Sequence, residues 1–177
     1  MEHDAQRGLV QVYTGDGKGK TTAAVGLAVR AAGHGLRVFF LQFMKGDPNY
    51  GELLALRAIP GIEVVQSGLP TFVKMGAPGI EDLRLARGGL ALAREILEAG
   101  RHDLVVLDEI VCAVAYGLIE EARVLDLFDL RPPSVELVLT GRYATPALLA
   151  RADLVSEVRE VKHPFRDGIL ARRGIDY

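Results

Sequence analysis

The sequence predicts an α/β protein, a mostly parallel sheet flanked by helices, and three observations lead there. Apolar, strand-like runs alternate with helical patterns along the 177 residues. Two of the runs, Val38-Phe-Phe-Leu41 and Leu104-Val-Val-Leu107, lack polar alternation, as expected of strands covered by helices on both faces. The first run also enters a glycine-rich turn that opens an alanine-rich helix.

Strands are expected over Leu9–Tyr13, Arg37–Phe43, Glu63–Gln66, Leu104–Leu107, Val135–Thr140 and Leu154–Glu157. The first helix is expected over Thr21–Ala32 and ends at Gly33-His-Gly35. A second, Glu81–Ala99, carries Leu83, Ala86, Leu90, Ala93 and Leu97 on one stripe before Gly100 stops it. Helices over Glu120–Leu127 and Pro146–Ala152 complete the alternation. With no internal repeat, low-complexity segment or long linker, residues 1–177 are read as a single domain. Within it, 1–7 is a flexible N-terminus and 161–177 a C-terminal tail. Ligands of such a sheet bind beyond the carboxyl ends of its strands.

Composition narrows the classes. Hydrophobic residues make up 49% and charged residues 25%, with a formal net charge of −2. No global basic field favours nucleic acid. No apolar run approaches the ~20 residues of a membrane helix, and the polar start lacks a signal-peptide core. A single cysteine, Cys112, excludes an internal disulfide and a cysteine-rich metal site. Its apolar neighbours make it buried filler. The expected setting is cytoplasmic.

The most informative stretch is Gly15-Asp-Gly-Lys-Gly-Lys-Thr-Thr22. A strand, a glycine loop, Lys-Thr and a helix, in that order, are the parts of a phosphate-binding loop. Gly15, Gly17 and Gly19 permit positive φ, so backbone N–H groups can turn inward as an anion nest backed by the helix dipole. Asp16 and Lys18 lie within the loop. Lys20 is expected to reach outer phosphate oxygens, and Thr21, followed by Thr22, to offer a hydroxyl to Mg2+. Thr14 stands where the general pattern G-x-x-x-x-G-K-[ST] has its first glycine, so this is a shorter variant. The ligand is a nucleoside triphosphate.

Leu104-Val-Val-Leu-Asp-Glu109 ends a buried strand in two carboxylates. Alone, Asp108 and Glu109 read as a polar strand end; with the glycine loop, they read as metal-holding groups. Arg142, ending Val138-Leu-Thr-Gly-Arg142, serves either as a phosphate clamp or in a surface ion pair. His163 has no metal-ligand spacing, and His3, His34 and His102 read as surface residues. The loop Gln66–Gly79 is long, apolar and rich in glycine and proline. Its Phe72, Val73 and Met75 suit a large hydrophobic ligand or a partner subunit, or fold back onto the core.

Together these segments resemble the ATP:corrinoid adenosyltransferases, of the cob(I)yrinic acid a,c-diamide adenosyltransferase type. The resemblance rests on Gly15–Thr22, Val105-Val-Leu-Asp-Glu-Ile110, Leu139-Thr-Gly-Arg142, Ala152-Asp-Leu-Val-Ser-Glu157, Val161-Lys-His-Pro-Phe165 and Gly174-Ile-Asp-Tyr177, in family order. It implies a RecA-like fold, a homodimer, and Mg2+, ATP and a reduced corrinoid (cobyrinic acid a,c-diamide, cobinamide or cobalamin) as ligands. A separate reductant protein is compatible with it. The implied catalytic groups are Lys20, Thr21 and Glu109, with Mg2+ held by Thr21 and by Glu109 or Asp108. The implied ATP contacts are Gly15–Thr22 and Arg142, and Phe72 is the counterpart of a corrin-facing phenylalanine. The chain departs from the family in having no tryptophan after that phenylalanine and Val111-Cys112 where Asn-Tyr is frequent. A P-loop ATPase or small-molecule kinase, with Glu109 as base, is the alternative on the same scaffold. A RecA-type DNA-associated module is disfavoured by the acidic balance.

Overall fold

The computed structural model describes residues 7–176. Six strands, β1 (Val10–Thr14), β2 (Val38–Phe43), β3 (Ile62–Ser67), β4 (Leu104–Asp108), β5 (Glu136–Thr140) and β6 (Leu154–Glu157), form one sheet in the order β3-β2-β4-β5-β1-β6. Every pairing is parallel. The helices are α1 (Lys20–Gly33), α2 (Gly51–Arg57), α3 (Ile80–Ala99), α4 (Ile110–Ala115), α5 (Glu121–Leu130) and α6 (Pro146–Arg151), followed by one 3-10 turn at Pro164–Asp167.

The unbroken apolar runs have the expected cause. On β2, Phe39, Leu41 and Phe43 face one core with α3 to α6, while Val38 and Phe40 face the other with α1 and α2. On β4, Val105 and Leu107 divide from Leu104 and Val106 in the same way. Alternate side chains of a strand point to opposite faces, so a strand between two helical layers needs both sets apolar. On α3 the predicted stripe is inward: Ala86, Ala93 and Leu97 are buried, with Leu83 and Leu90 packed against them. Gly100 ends the helix in the left-handed conformation, φ 60°.

Two helices were not anticipated. Ile110–Val114, read from sequence only as apolar filler around Cys112, is helix α4, and α2 carries the fully buried Leu53 and Leu56. His102 is also corrected: rather than lying on the surface it is buried, its ring 5.4 Å from that of Phe39 and its Nε2 3.3 Å from Glu63. It shortly precedes β4, and its ring packs against that of Phe39 as an aromatic. His34 is exposed, as expected. The flexible segment expected over 1–7, His3 within it, and Tyr177 of the tail fall wholly or largely outside the described residues.

Candidate active site

All the expected chemistry belongs to the carboxyl edge of the sheet, and a cleft of about 630 Å³ opens there. Its lining includes the glycine-loop residues Gly17, Lys18, Gly19, Lys20, Thr21 and Thr22, together with Glu109, Arg142 and Leu69–Phe72. Phe72 is wholly exposed, an unpartnered ring at the mouth. Val73, by contrast, packs on the core, the fold-back alternative for that part of the loop.

The loop is shaped by glycine for two different reasons. Gly15 has φ 97°, a conformation costly for residues with a Cβ. Gly17 does not need positive φ, but a Cβ there would lie 2.7 Å from the Val158 carbonyl oxygen and the Arg159 carbonyl carbon. The chain leaving β6 crosses the loop at that point, and the Gly17 N–H donates to Val158 O at 2.7 Å. The nest expected from Gly15 to Lys20 is therefore narrower: the Gly17 amide is spent within the protein. Gly15 and Asp16 are not among the walls of the cleft. Asp16 turns away and accepts the Glu160 N–H at 3.0 Å. That backbone bond is the main cause that holds its carboxyl below the usual range.

The two loop lysines are also differently placed from the sequence expectation of phosphate-facing cations. Lys20 is buried, and its Nζ donates to Gly15 O at 2.8 Å and Gly17 O at 2.5 Å. Burial, then the positive charge of Arg142, pulls its pKa down. Lys18 pairs with Asp176 of the tail, which also binds Arg172 at 3.1 Å. Among the described residues no carboxylate pairs with Arg142, so of its two readings the cleft-facing one fits the structure.

Asp108 is the hub. Fully buried, it accepts the Thr21 hydroxyl at 2.9 Å and the Thr140 hydroxyl at 2.7 Å on Oδ1. Lys45 at 2.9 Å and Gln42 at 3.3 Å donate to Oδ2. Glu109 begins α4 with φ 62°, and its N–H donates to Thr140 Oγ1 at 2.9 Å. Glu109 lines the cleft; burial, and then the Glu109 carboxylate, push the Cys112 thiol up to about 12. Cys112 is buried as expected, but it also accepts the Arg142 N–H at 3.0 Å.

Among the described residues three non-glycine residues have positive φ: Met44, Glu109 and Tyr143. All three line this cleft, and each follows the end of a strand. Such conformations cost on the order of 1–3 kcal/mol each and collect where function requires them. Sequence reasoning missed Lys45, Glu52, Tyr50, Tyr116 and Tyr143 as cleft residues. The available signal was position: Lys45 and Tyr143 follow strand ends at the edge already singled out.

The parallel sheet, with a glycine-rich turn and a buried carboxylate at its carboxyl edge, defines an α/β protein whose cleft opens at that edge. Over residues 6–177 the chain matches the model of the family described as ATP:corrinoid adenosyltransferase BtuR/CobO/CobP, and it belongs to that family. It is 36% identical over 175 residues to the corrinoid adenosyltransferase of Pseudomonas aeruginosa, covering 97% of this chain and 85% of that one. It is 37% identical over 179 residues to the corrinoid adenosyltransferase of Escherichia coli, covering 97% and 87%. The corrinoid adenosyltransferase CobA of Salmonella typhimurium gives the same figures.

Proposed function

We propose that this protein transfers the 5′-deoxyadenosyl group of ATP to the cobalt(I) of a corrinoid and releases inorganic triphosphate. The observation that carries the reading, beside the family, is that the phosphate loop and the bare Phe72 ring front one cleft. A polyphosphate and a large apolar ligand thus meet in one space. The substrate cobalt(I) is a strong nucleophile with no proton to lose, so attack at the ribose C5′ needs no general base. The protein's task is to orient the two ligands and to stabilise charge growing on the departing triphosphate. The amides flanking Gly17, the Lys20 ammonium and Arg142 supply that stabilisation, with Lys20 exchanging its carbonyl partners for phosphate oxygens. Lys18 adds its charge once it leaves Asp176.

Mg2+ fits the residues present. Thr21 and Asp108 bring a hydroxyl and a carboxylate together, and a cation, the Lys45 ammonium, already lies against both. Among the described residues no three His, Cys, Asp or Glu side chains are grouped to hold a metal unaided. That is usual for Mg2+, which takes one or two carboxylates and draws further ligands from substrate phosphates. Thr21 and Asp108 would hold it, with Glu109 at the cleft side, and the ion would offset triphosphate charge. We further read residues 1–177 as one RecA-like domain that works as a cytoplasmic homodimer, without nucleic acid. Its reduced corrinoid is supplied by a chemical or protein reductant. Among the described residues no helix is long and apolar enough to cross a membrane.

The test is an anaerobic incubation with MgATP and chemically reduced cob(I)alamin, with all phosphate products identified. The expected result is inorganic triphosphate, one for one with a light-sensitive adenosylcorrinoid. ADP and phosphate without a cobalt–carbon bond would instead establish the ATPase or kinase alternative.

A further inference from the structure

Lys45 has no place in the chemistry derived above, yet it sits at its centre. It follows Met44, whose left-handed φ of 58° at the end of β2 turns the chain toward the end of β4. Its Nζ lies 2.9 Å from Asp108 Oδ2, 3.4 Å from Thr21 Oγ1 and 3.6 Å from Glu52 Oε1. The Tyr50 ring covers it at 5.9 Å. The ammonium therefore touches both oxygen groups that would hold a divalent cation. Two carboxylates, those of Asp108 and Glu52, lie within 4 Å of that ammonium.

A Mg2+ ion at its usual ~2.0–2.1 Å from these oxygens needs the lone pairs that the ammonium occupies. Two cations cannot share them within ~4 Å without strong repulsion in a partly buried site. We propose that Lys45 is a positioning residue whose ammonium competes with the divalent cation for the Asp108 and Thr21 oxygens. The free ion is thereby refused, and the ion that arrives with nucleotide phosphates is admitted. Phosphate oxygens tip the balance twice: they complete the metal's coordination, and they give the displaced ammonium, itself on the cleft wall, a new anionic partner. The Lys45–Asp108 pair also keeps a fully buried carboxylate compensated, which its environment otherwise penalises.

This inference rests on the proposed reading only in taking the ligand to be a metal–triphosphate, and its test uses neither corrinoid nor turnover. Free Mn2+ is titrated into the nucleotide-free full chain and followed by its electron paramagnetic resonance signal. The wild type is expected to bind weakly, and Lys45→Gln and Lys45→Met about tenfold or more tightly, because the competing charge is gone. Lys45→Arg, which keeps the charge, is expected to remain weak. Thermal melts show which variants are folded; if Lys45→Met is not, Lys45→Gln, with an uncharged donor left for Asp108, decides. Tight Mn2+ binding by the wild type, or affinity in folded Lys45→Gln equal to or below that of the wild type, would overturn the proposal. Failure of adenosyl transfer would appear instead in the product assay and leave this titration readable.

Discussion

Thr140 ties the site together with one oxygen. Its hydroxyl donates to Asp108 and accepts from the Glu109 N–H, linking the end of β5 to two successive residues at the end of β4 in a fully buried position. A buried donor or acceptor left unpaired costs about 1–3 kcal/mol. Thr140→Val keeps the shape and removes both bonds, so it is expected to lower unfolding free energy by about 2–3 kcal/mol in urea denaturation. A loss under ~0.5 kcal/mol would show that the bonds are not stabilising. Cys112, with its thiol pushed up to about 12, stays a neutral packing residue at working pH and supports Arg142 through a hydrogen bond. At this scale the sequence was partly legible. Asp108 and Thr21 were recognisable because a known motif prescribes them. Lys45 was not, because a lysine after an apolar strand becomes meaningful only when the neighbouring strand end is known.

The elements divide the cleft's two demands, rigidity and reach. The glycine loop is braced by the chain after β6, which lies against it. Gly17→Ala is expected to cost about 1–3 kcal/mol, typical of forcing atoms into a packed site. The loss would be read by thermal melting and accompanied by weaker ATP binding in calorimetry. Since Gly17 needs no positive φ, an unchanged melt would mean that the 158–159 backbone yields easily. The Leu69–Phe72 stretch is the opposite case, an apolar ring held out in solvent. If Phe72 shields cobalt and displaces its axial ligand, Phe72→Ala slows reaction from cobalt(II) far more than from pre-reduced cobalt(I). Equal slowing of both, measured by the rise of adenosylcorrinoid absorbance, would remove that role. The long helices α1 and α3 were legible from periodicity and glycine stops. Helices α2 and α4, of 7 and 6 residues, are too short to show a period, and tertiary packing of Leu53, Leu56 and Ile110 settles them.

At the scale of the molecule, the parallel sheet was legible because runs apolar on both faces require helices above and below. Strand order was not, since nothing local says which neighbour a strand will take. The observed order puts β5 between β1, which feeds the glycine loop, and β4, which ends in Asp108. This sets Thr140, at the end of β5, beside Asp108 and Glu109 at the end of β4. It also leaves β6 as an exposed edge, every residue of it solvent-facing, although its sequence reads like the others.

The place of β1 in that order sets a timetable. Among these six strands β1 is synthesised first, yet its two sheet neighbours, β5 and β6, are the last two, paired from Val10 to Leu137 and from Gln11 to Leu154. Strands β2, β3 and β4 can assemble while β1 is still without a partner, and pairings so distant along the chain form slowly. The glycine loop follows β1 and is braced by residues 158 and 159, so it is among the last parts to take shape. The loop is thus expected to take its final shape only after β6 and residues 158 and 159 have been made.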